Sequence, residues 1–338
     1  MNLKTLHETA LAMVAPGKGI LAADESTGTI KKRFDQIGIE NTWAHRRAYR
    51  DMLFTTPDFE KYTSGVILFE ETLFDKGLDD TPFPKLLAAR GVIPGIKVDQ
   101  GAKPLAGGVA EETVTEGLDG LRERLEKYRA AGARFAKWRA VITIGEDSPT
   151  DYAIHVNAHA LARYAALCQE ADIVPIVEPE VLMDGDNDIE TCEDVTDVVL
   201  AAVFGELYAQ RVVLEGIILK PNMVVSGAGC SDQACIEEVA ERTLRVLRRH
   251  VPAAVPGIAF LSGGQSDELA TAHLDAMNKA GPLPWGLTFS YGRALQAAAL
   301  KAWSGKNVDA GKAAHQHRAK MNSLAALGKW DQSLERAA

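Results

Sequence analysis

Gly216-Ile217-Ile218-Leu219-Lys220-Pro221 sets an amine at the end of a short apolar, β-branched run and follows it with a residue that cannot donate to a sheet ladder. The run reads as a buried strand that ends in a reactive group rather than in a turn. Working outward, Ile173-Val174-Pro175-Ile176-Val177-Glu178 precedes it, and Ile258-Ala259-Phe260-Leu261-Ser262 and Gly286-Leu287-Thr288-Phe289-Ser290 follow it. Nearer the N-terminus stand Gly19-Ile20-Leu21-Ala22-Ala23-Asp24, Gly65-Val66-Ile67-Leu68-Phe69-Glu70, Gly95-Ile96-Lys97-Val98-Asp99 and Phe135-Ala136-Lys137-Trp138-Arg139. Amphipathic stretches over 118–131, 151–171, 232–250 and 266–280 separate them and are long enough to be crossover helices, so the strands are parallel. About eight such strand–helix units predict an α/β fold, a TIM (β/α)8 barrel, with extra helical segments near 3–14 and 308–326. Ser148-Pro149-Thr150-Asp151, Ser231-Asp232 and Ser266-Asp267 mark helix starts, because their oxygens can accept from unpaired first-turn N–H groups. The expected organisation is one domain over 1–328 and a flexible tail over 329–338.

A chain of 338 residues is compatible with one barrel, and 46% hydrophobic with 25% charged residues is the balance of a folded, water-soluble protein. The net charge of −9 and the lack of a long Lys/Arg run argue against nucleic acid or an anionic membrane as a partner. Met1-Asn2-Leu3-Lys4-Thr5-Leu6-His7 carries no apolar signal core, and charges interrupt every candidate span. Cys168, Cys192, Cys230 and Cys235 form no Cys-x-x-Cys pair. A cytoplasmic, reducing setting is the expectation.

Active sites of such barrels lie at the C-terminal ends of the strands, which gathers Asp24, Lys97, Lys137, Arg139, Glu178, Glu180, Lys220, Ser262 and Arg293 into one mouth. So many charges facing inward are costly to desolvate unless they pair for a purpose. Lys220 would be a nucleophile if an apolar setting or a neighbouring cation such as Lys137 disfavoured its ammonium; taken alone, it reads first as a lysine reaching the rim. Glu178-Pro179-Glu180 offers two carboxylates at a strand end, one to move protons and one to pair with lysines, with Pro179 stiffening a turn between them. Ser262-Gly263-Gly264 and Ser290-Tyr291-Gly292-Arg293 are N–H-rich loops after the seventh and eighth strands, where phosphate commonly binds. Asp24-Glu25-Ser26-Thr27-Gly28-Thr29, with Lys32 and Arg33, reads either as a second phosphate site or as a plain helix cap. His155 and His159 are four apart on a helix but lack the intervening Glu of a metal motif, and His315 and His317 read as an exposed helix face. No catalytic metal is expected.

Leu21-Ala22-Ala23-Asp24-Glu25-Ser26-Thr27-Gly28, Phe135-Ala136-Lys137-Trp138-Arg139, Val177-Glu178-Pro179-Glu180, Leu219-Lys220-Pro221-Asn222-Met223, Phe260-Leu261-Ser262-Gly263-Gly264-Gln265 and Leu287-Thr288-Phe289-Ser290-Tyr291-Gly292-Arg293 together resemble the class I fructose-bisphosphate aldolases, in collinear order over nearly the whole chain. The resemblance implies a metal-independent lyase of glycolysis and gluconeogenesis that cleaves fructose 1,6-bisphosphate through a Schiff base on Lys220. It implies Glu178 as the proton-transfer group, Lys137 as a supporting cation, Glu180 as the partner of the lysines and Asp24 as the group orienting a substrate hydroxyl. It places Ser262, Gly263, Ser290, Gly292 and Arg293 at one phosphate, Ser26, Thr29, Arg33 and Lys97 along the other, and Arg139 nearby. A homotetramer acting on phosphorylated sugars is the implied assembly. One departure is that the chain ends Ser333-Leu334-Glu335-Arg336-Ala337-Ala338, without the C-terminal tyrosine that exchanges enamine protons in animal relatives. Protonation by Glu178, water or another group is then expected. Another Schiff-base barrel, a metal-dependent aldolase and an aldolase-like scaffold for a protein partner are the alternatives.

Overall fold

In the computed structural model, which describes residues 1–336, eight parallel strands close into a barrel in sequence order. They are β1 (Gly19–Ala23), β2 (Thr63–Leu68), β3 (Ile93–Lys97), β4 (Phe135–Ile142), β5 (Val174–Val181), β6 (Ile218–Leu219), β7 (Gly257–Phe260) and β8 (Gly286–Tyr291). Helix α1 (Leu3–Met13) precedes the barrel, and α2 (Thr27–Asp35) and α3 (Trp43–Phe54) cross from β1 to β2. Later crossovers are α4 (Leu121–Ala131), α5 (Asp151–Glu170), α6 (Ile189–Ala209), α7 (Ile236–His250) and α8 (Asp267–Lys279). Helices α9 (Arg293–Trp303) and α10 (Val308–Ala326) complete the outer layer. A small antiparallel ribbon, Ala102–Pro104 with Thr113–Thr115, folds over the third connection.

Alternation along each strand divides two cores. In β4, Ala136, Trp138, Ala140 and Ile142 point outward into the layer between strands and helices, whereas Phe135 points inward. Phe135, Ile20, Ile67, Val174, Ile176, Ile218 and Ala259 fill the barrel floor, and Leu6, Ala10 and Met13 of α1 close it from below. A side chain on Gly95 would overlap the Phe135 ring, and one on Gly19 would overlap Phe289. These glycines give the aromatic rings their room.

Several expected boundaries move. Helix α4 starts at Leu121 behind Gly120, and α7 starts at Ile236 behind Cys235, so Ser231 caps nothing; Thr150 and Ser266 do cap, accepting from the N–H groups of Ala153 and Leu269. Strand β5 runs on to Val181 because β4 pairs with it as far as Ile142. Glu178-Pro179-Glu180 is therefore fully strand, not a turn, and both carboxylates share the inward face. His315 is fully buried against Phe59 and Thr56 rather than exposed. Residues 329–336, expected to fray, instead carry the turn Gln332–Arg336, whose Glu335 accepts from Arg318, Trp330 and His317. The end of the expected tail, 337–338, lies outside the described residues.

Candidate active site

Every nominated site residue lines one cavity of about 680 Å³ at the C-terminal ends of the strands: Asp24, Ser26, Thr29, Arg33, Lys97, Lys137, Arg139, Glu178, Glu180, Lys220, Ser262, Gly263, Ser290, Gly292 and Arg293. Sheet register explains the centre. Lys97 lies opposite Lys137, Arg139 opposite Glu178, and Leu219 opposite Val177, so Lys220 emerges beside Glu178. The ladder continues through Lys220, whose N–H donates to the Val177 carbonyl at 2.8 Å.

The buried side chains form a row of alternating charge. Lys220 Nζ lies 3.0 Å from Glu178 Oε1, Glu178 Oε2 lies 3.6 Å from Lys137 Nζ, and Lys137 Nζ lies 2.8 Å from Asp24 Oδ2. Asp99 Oδ2 adds a third carboxylate 3.8 Å from Lys137. Burial opposes ionisation of Asp24, but Lys137 and Lys220 outweigh it and hold the carboxyl well below the usual range. Burial also opposes the Lys137 ammonium, and Asp24, Glu178 and Asp99 more than compensate, raising its pKa above that of an ordinary lysine. Lys137 is thus a fixed cation, and the carboxylate within reach of Lys220 is that of Glu178.

Glu180 does not fix the lysines as expected. Arg139 reaches it first: two residues along β4 and two along β5, the pair stands one step further up the same inward face, and the Arg139 guanidinium donates to Glu180. Lys97 is tied to Asp99, at 2.7 Å from both the carboxylate and the backbone carbonyl.

At the seventh and eighth loops, Gly263 adopts the left-handed backbone, φ 56°, that favours glycine, and its carbonyl accepts from Arg293. Gly292 begins α9 without a side-chain cap, which leaves first-turn N–H groups for an anion, and Ser290 Oγ is buried with no protein partner among the described residues. Ser26 caps α2, accepting from Thr29 N–H at 3.3 Å, with its hydroxyl 3.1 Å from that of Thr29. Arg33, expected along the far phosphate, reaches across to the eighth loop: its Nη2 lies 3.7 Å from where a Cβ on Gly292 would stand.

His155 and His159 both face Glu206 on the outer helices, far from this row. No group of three or more His, Cys, Asp or Glu among the described residues is placed to hold a metal ion. No helix among them is long and apolar enough to cross a membrane.

The sequence matches the family model described as glycolytic fructose-bisphosphate aldolase class-I over residues 5–338. The chain belongs to the class-I fructose-bisphosphate aldolase family. Members of this class are lyases that cleave fructose 1,6-bisphosphate through a lysine Schiff base, without a metal. A Xanthomonas campestris pv. campestris protein named "Probable fructose-bisphosphate aldolase class 1" is 63% identical over 334 residues, 98% of this chain and 99% of its own length. "Fructose-bisphosphate aldolase C" of Rattus norvegicus is 53% identical, covering 98% and 92%. Among solved structures, the fructose-bisphosphate aldolase of Plasmodium falciparum, determined with TRAP and a small-molecule inhibitor, superposes with a TM-score of 0.96 at 52% identity, over 97% of this chain and 96% of that one.

Among the residues that escape assignment from sequence, Asp99 and Glu25 line the cavity and Arg50 stands behind Glu25. Asp99 was visible as a carboxylate ending an apolar run, the signal that nominated its neighbours. Glu25 stands beside Asp24 but turns the other way and accepts from Arg33, Arg50 and Gln296. Arg50 lies on α3, where nothing local separates it from Arg46 and Arg47, which pair with Glu71 and Asp80 away from the cavity.

Proposed function

We infer that this protein reversibly cleaves fructose 1,6-bisphosphate to dihydroxyacetone phosphate and glyceraldehyde 3-phosphate, with Lys220 as the Schiff-base lysine. The observation that carries the reading is the buried contact of Lys220 Nζ with Glu178 at 3.0 Å, at a strand end between two hydroxyl- and cation-bearing loops. Lys220 hands its proton to Glu178 and its free amine attacks the ketone carbon. The carbinolamine loses water, protonated by the Glu178 acid, and leaves an iminium. Glu178, again a carboxylate, takes the C4 hydroxyl proton as the C3–C4 bond breaks, its electron pair moves toward the iminium, and the aldehyde departs from an enamine. Protonation at C3 and hydrolysis release dihydroxyacetone phosphate and regenerate the amine.

Asp24, held ionised by Lys137, is suited to orient a substrate hydroxyl, and Lys137 to stabilise the oxygen anion of the carbinolamine. Glu180 acts by holding Arg139, not the lysines. Ser262, Gly263, Ser290, Gly292 and Arg293, joined by Arg33, suit the phosphate next to the Schiff-base carbon; Ser26, Thr29 and Lys97 suit the other. The setting is cytoplasmic.

Borohydride reduction with dihydroxyacetone phosphate in EDTA is expected to trap one adduct, located on Lys220 by peptide mass spectrometry. An adduct on Lys137, or none, would overturn the assignment. The assembly proposed is a homotetramer, so light scattering should give about four times the 36.4 kDa chain mass. A monomeric mass would refute it.

A further inference from the structure

Behind the seventh loop lies a buried pair that the mechanism above does not use. His273, on the inner face of α8 and only 2% exposed, places Nδ1 2.6 Å from Oε1 of Gln265. The Gln265 amide nitrogen in turn donates to the Ser262 carbonyl at 3.2 Å and toward the Met223 sulfur at 3.6 Å. The Gln265 backbone N–H reaches the same carbonyl at 3.1 Å. The chemistry fixes the direction of this chain of bonds. A carbonyl only accepts, so the NH2 end of Gln265 faces Ser262; its oxygen then faces His273, which must carry its proton on Nδ1. Burial pushes the His273 pKa down to about 4, so the imidazole is neutral near pH 7 and that tautomer is available. Nε2 is left as a lone pair without a partner among the described residues, a smaller cost than a stranded N–H.

We propose that His273 and Gln265 are positioning residues for the phosphate loop: together they draw the Ser262 carbonyl inward and so aim the next N–H, that of Gly263, into the cavity. In a planar trans peptide the C=O and the following N–H point in opposite directions, so two donors anchoring the Ser262 oxygen orient the Gly263 N–H. That N–H has no protein acceptor among the described residues, and Gly263 lines the cavity. Gly263 and Gly264 bring no side chains, and the other anchors of the loop, Arg293 on the Gly263 carbonyl and the Gly264 N–H on the Met183 sulfur at 2.9 Å, lie beyond the peptide that carries the Gly263 N–H. The inference rests on the reading of this loop as a phosphate site.

The test compares His273→Phe, which keeps the volume and removes the donor, with His273→Asn, which returns an N–H near the position of Nδ1. Each is assayed for cleavage of fructose 1,6-bisphosphate and for competitive inhibition by inorganic phosphate, with Arg293→Ala as a reference. His273→Phe should raise KM and the phosphate Ki together by about three- to tenfold with kcat within about twofold, the loss of an interaction felt equally in ground and transition states. His273→Asn should recover most of that loss. Unchanged KM and Ki in His273→Phe, alongside a raised Ki in Arg293→Ala, overturn the relay and leave the phosphate site standing. An unchanged Ki in Arg293→Ala defeats the phosphate reading itself, and the relay with it. If His273→Phe fails to fold, Gln265→Leu carries the same expectation and the same refutation.

Discussion

Lys220→Met is expected to lower kcat/KM for fructose 1,6-bisphosphate by about 10⁴-fold or more while the barrel remains folded. Methionine matches the reach of lysine but has no amine, so neither the carbinolamine nor the iminium can form. Folding should survive because the charge row is not left with a stranded carboxylate: Glu178 keeps Lys137 at 3.6 Å, and Asp24 keeps it at 2.8 Å. Arginine would be a poorer choice, since a guanidinium is larger and would crowd a buried position. A coupled assay, circular dichroism and the borohydride experiment together decide the matter. Residual activity above about a tenth of normal in a folded variant, or a trapped adduct elsewhere, would remove Lys220 from the centre of the mechanism.

The second large effect belongs to Glu178→Gln, with an expected fall in kcat of about 10²- to 10⁴-fold, the range for removing a proton-transfer group. The amide keeps the shape and can still contact Lys220 and Lys137, yet it cannot take the amine's proton or deliver one to the departing water. Replacing the carboxylate by a neutral amide also breaks the buried Lys220–Glu178 ion pair, which costs about 3 kcal/mol. The diagnostic pattern is slow adduct formation on Lys220 with turnover suppressed more than binding. If kcat held while only KM rose, Glu178 would be a binding group and the proton route would have to pass elsewhere.

The barrel was legible because each strand repeats one local rule, an apolar run closed by a polar residue, and eight repeats leave few topologies. The same rule found the reactive mouth, since strand ends converge wherever the sheet closes. It failed where the answer depended on a neighbour distant in sequence. Glu178-Pro179-Glu180 looks like a turn until β4 is seen to pair with it through Ile142. Glu180 was assigned to the lysines because charge alone does not say that Arg139 stands in register above them. His315 looked exposed for the same reason: the helix pattern does not reveal that Phe59 and Thr56 lie against that face. Arg50 joins the site only because α3 brings it to Glu25 at 2.6 Å.

The Glu335 clasp bears on how the protein can be handled. Arg318 holds Glu335 with one nitrogen at 2.6 Å and, with another, the Asp267 carbonyl and the Thr271 hydroxyl in the first turns of α8. A substitution that breaks this clasp therefore loosens the strut that backs the seventh loop. A tag placed ahead of Met1 hangs from α1, under the barrel floor, with the packed width of the barrel between it and the cavity.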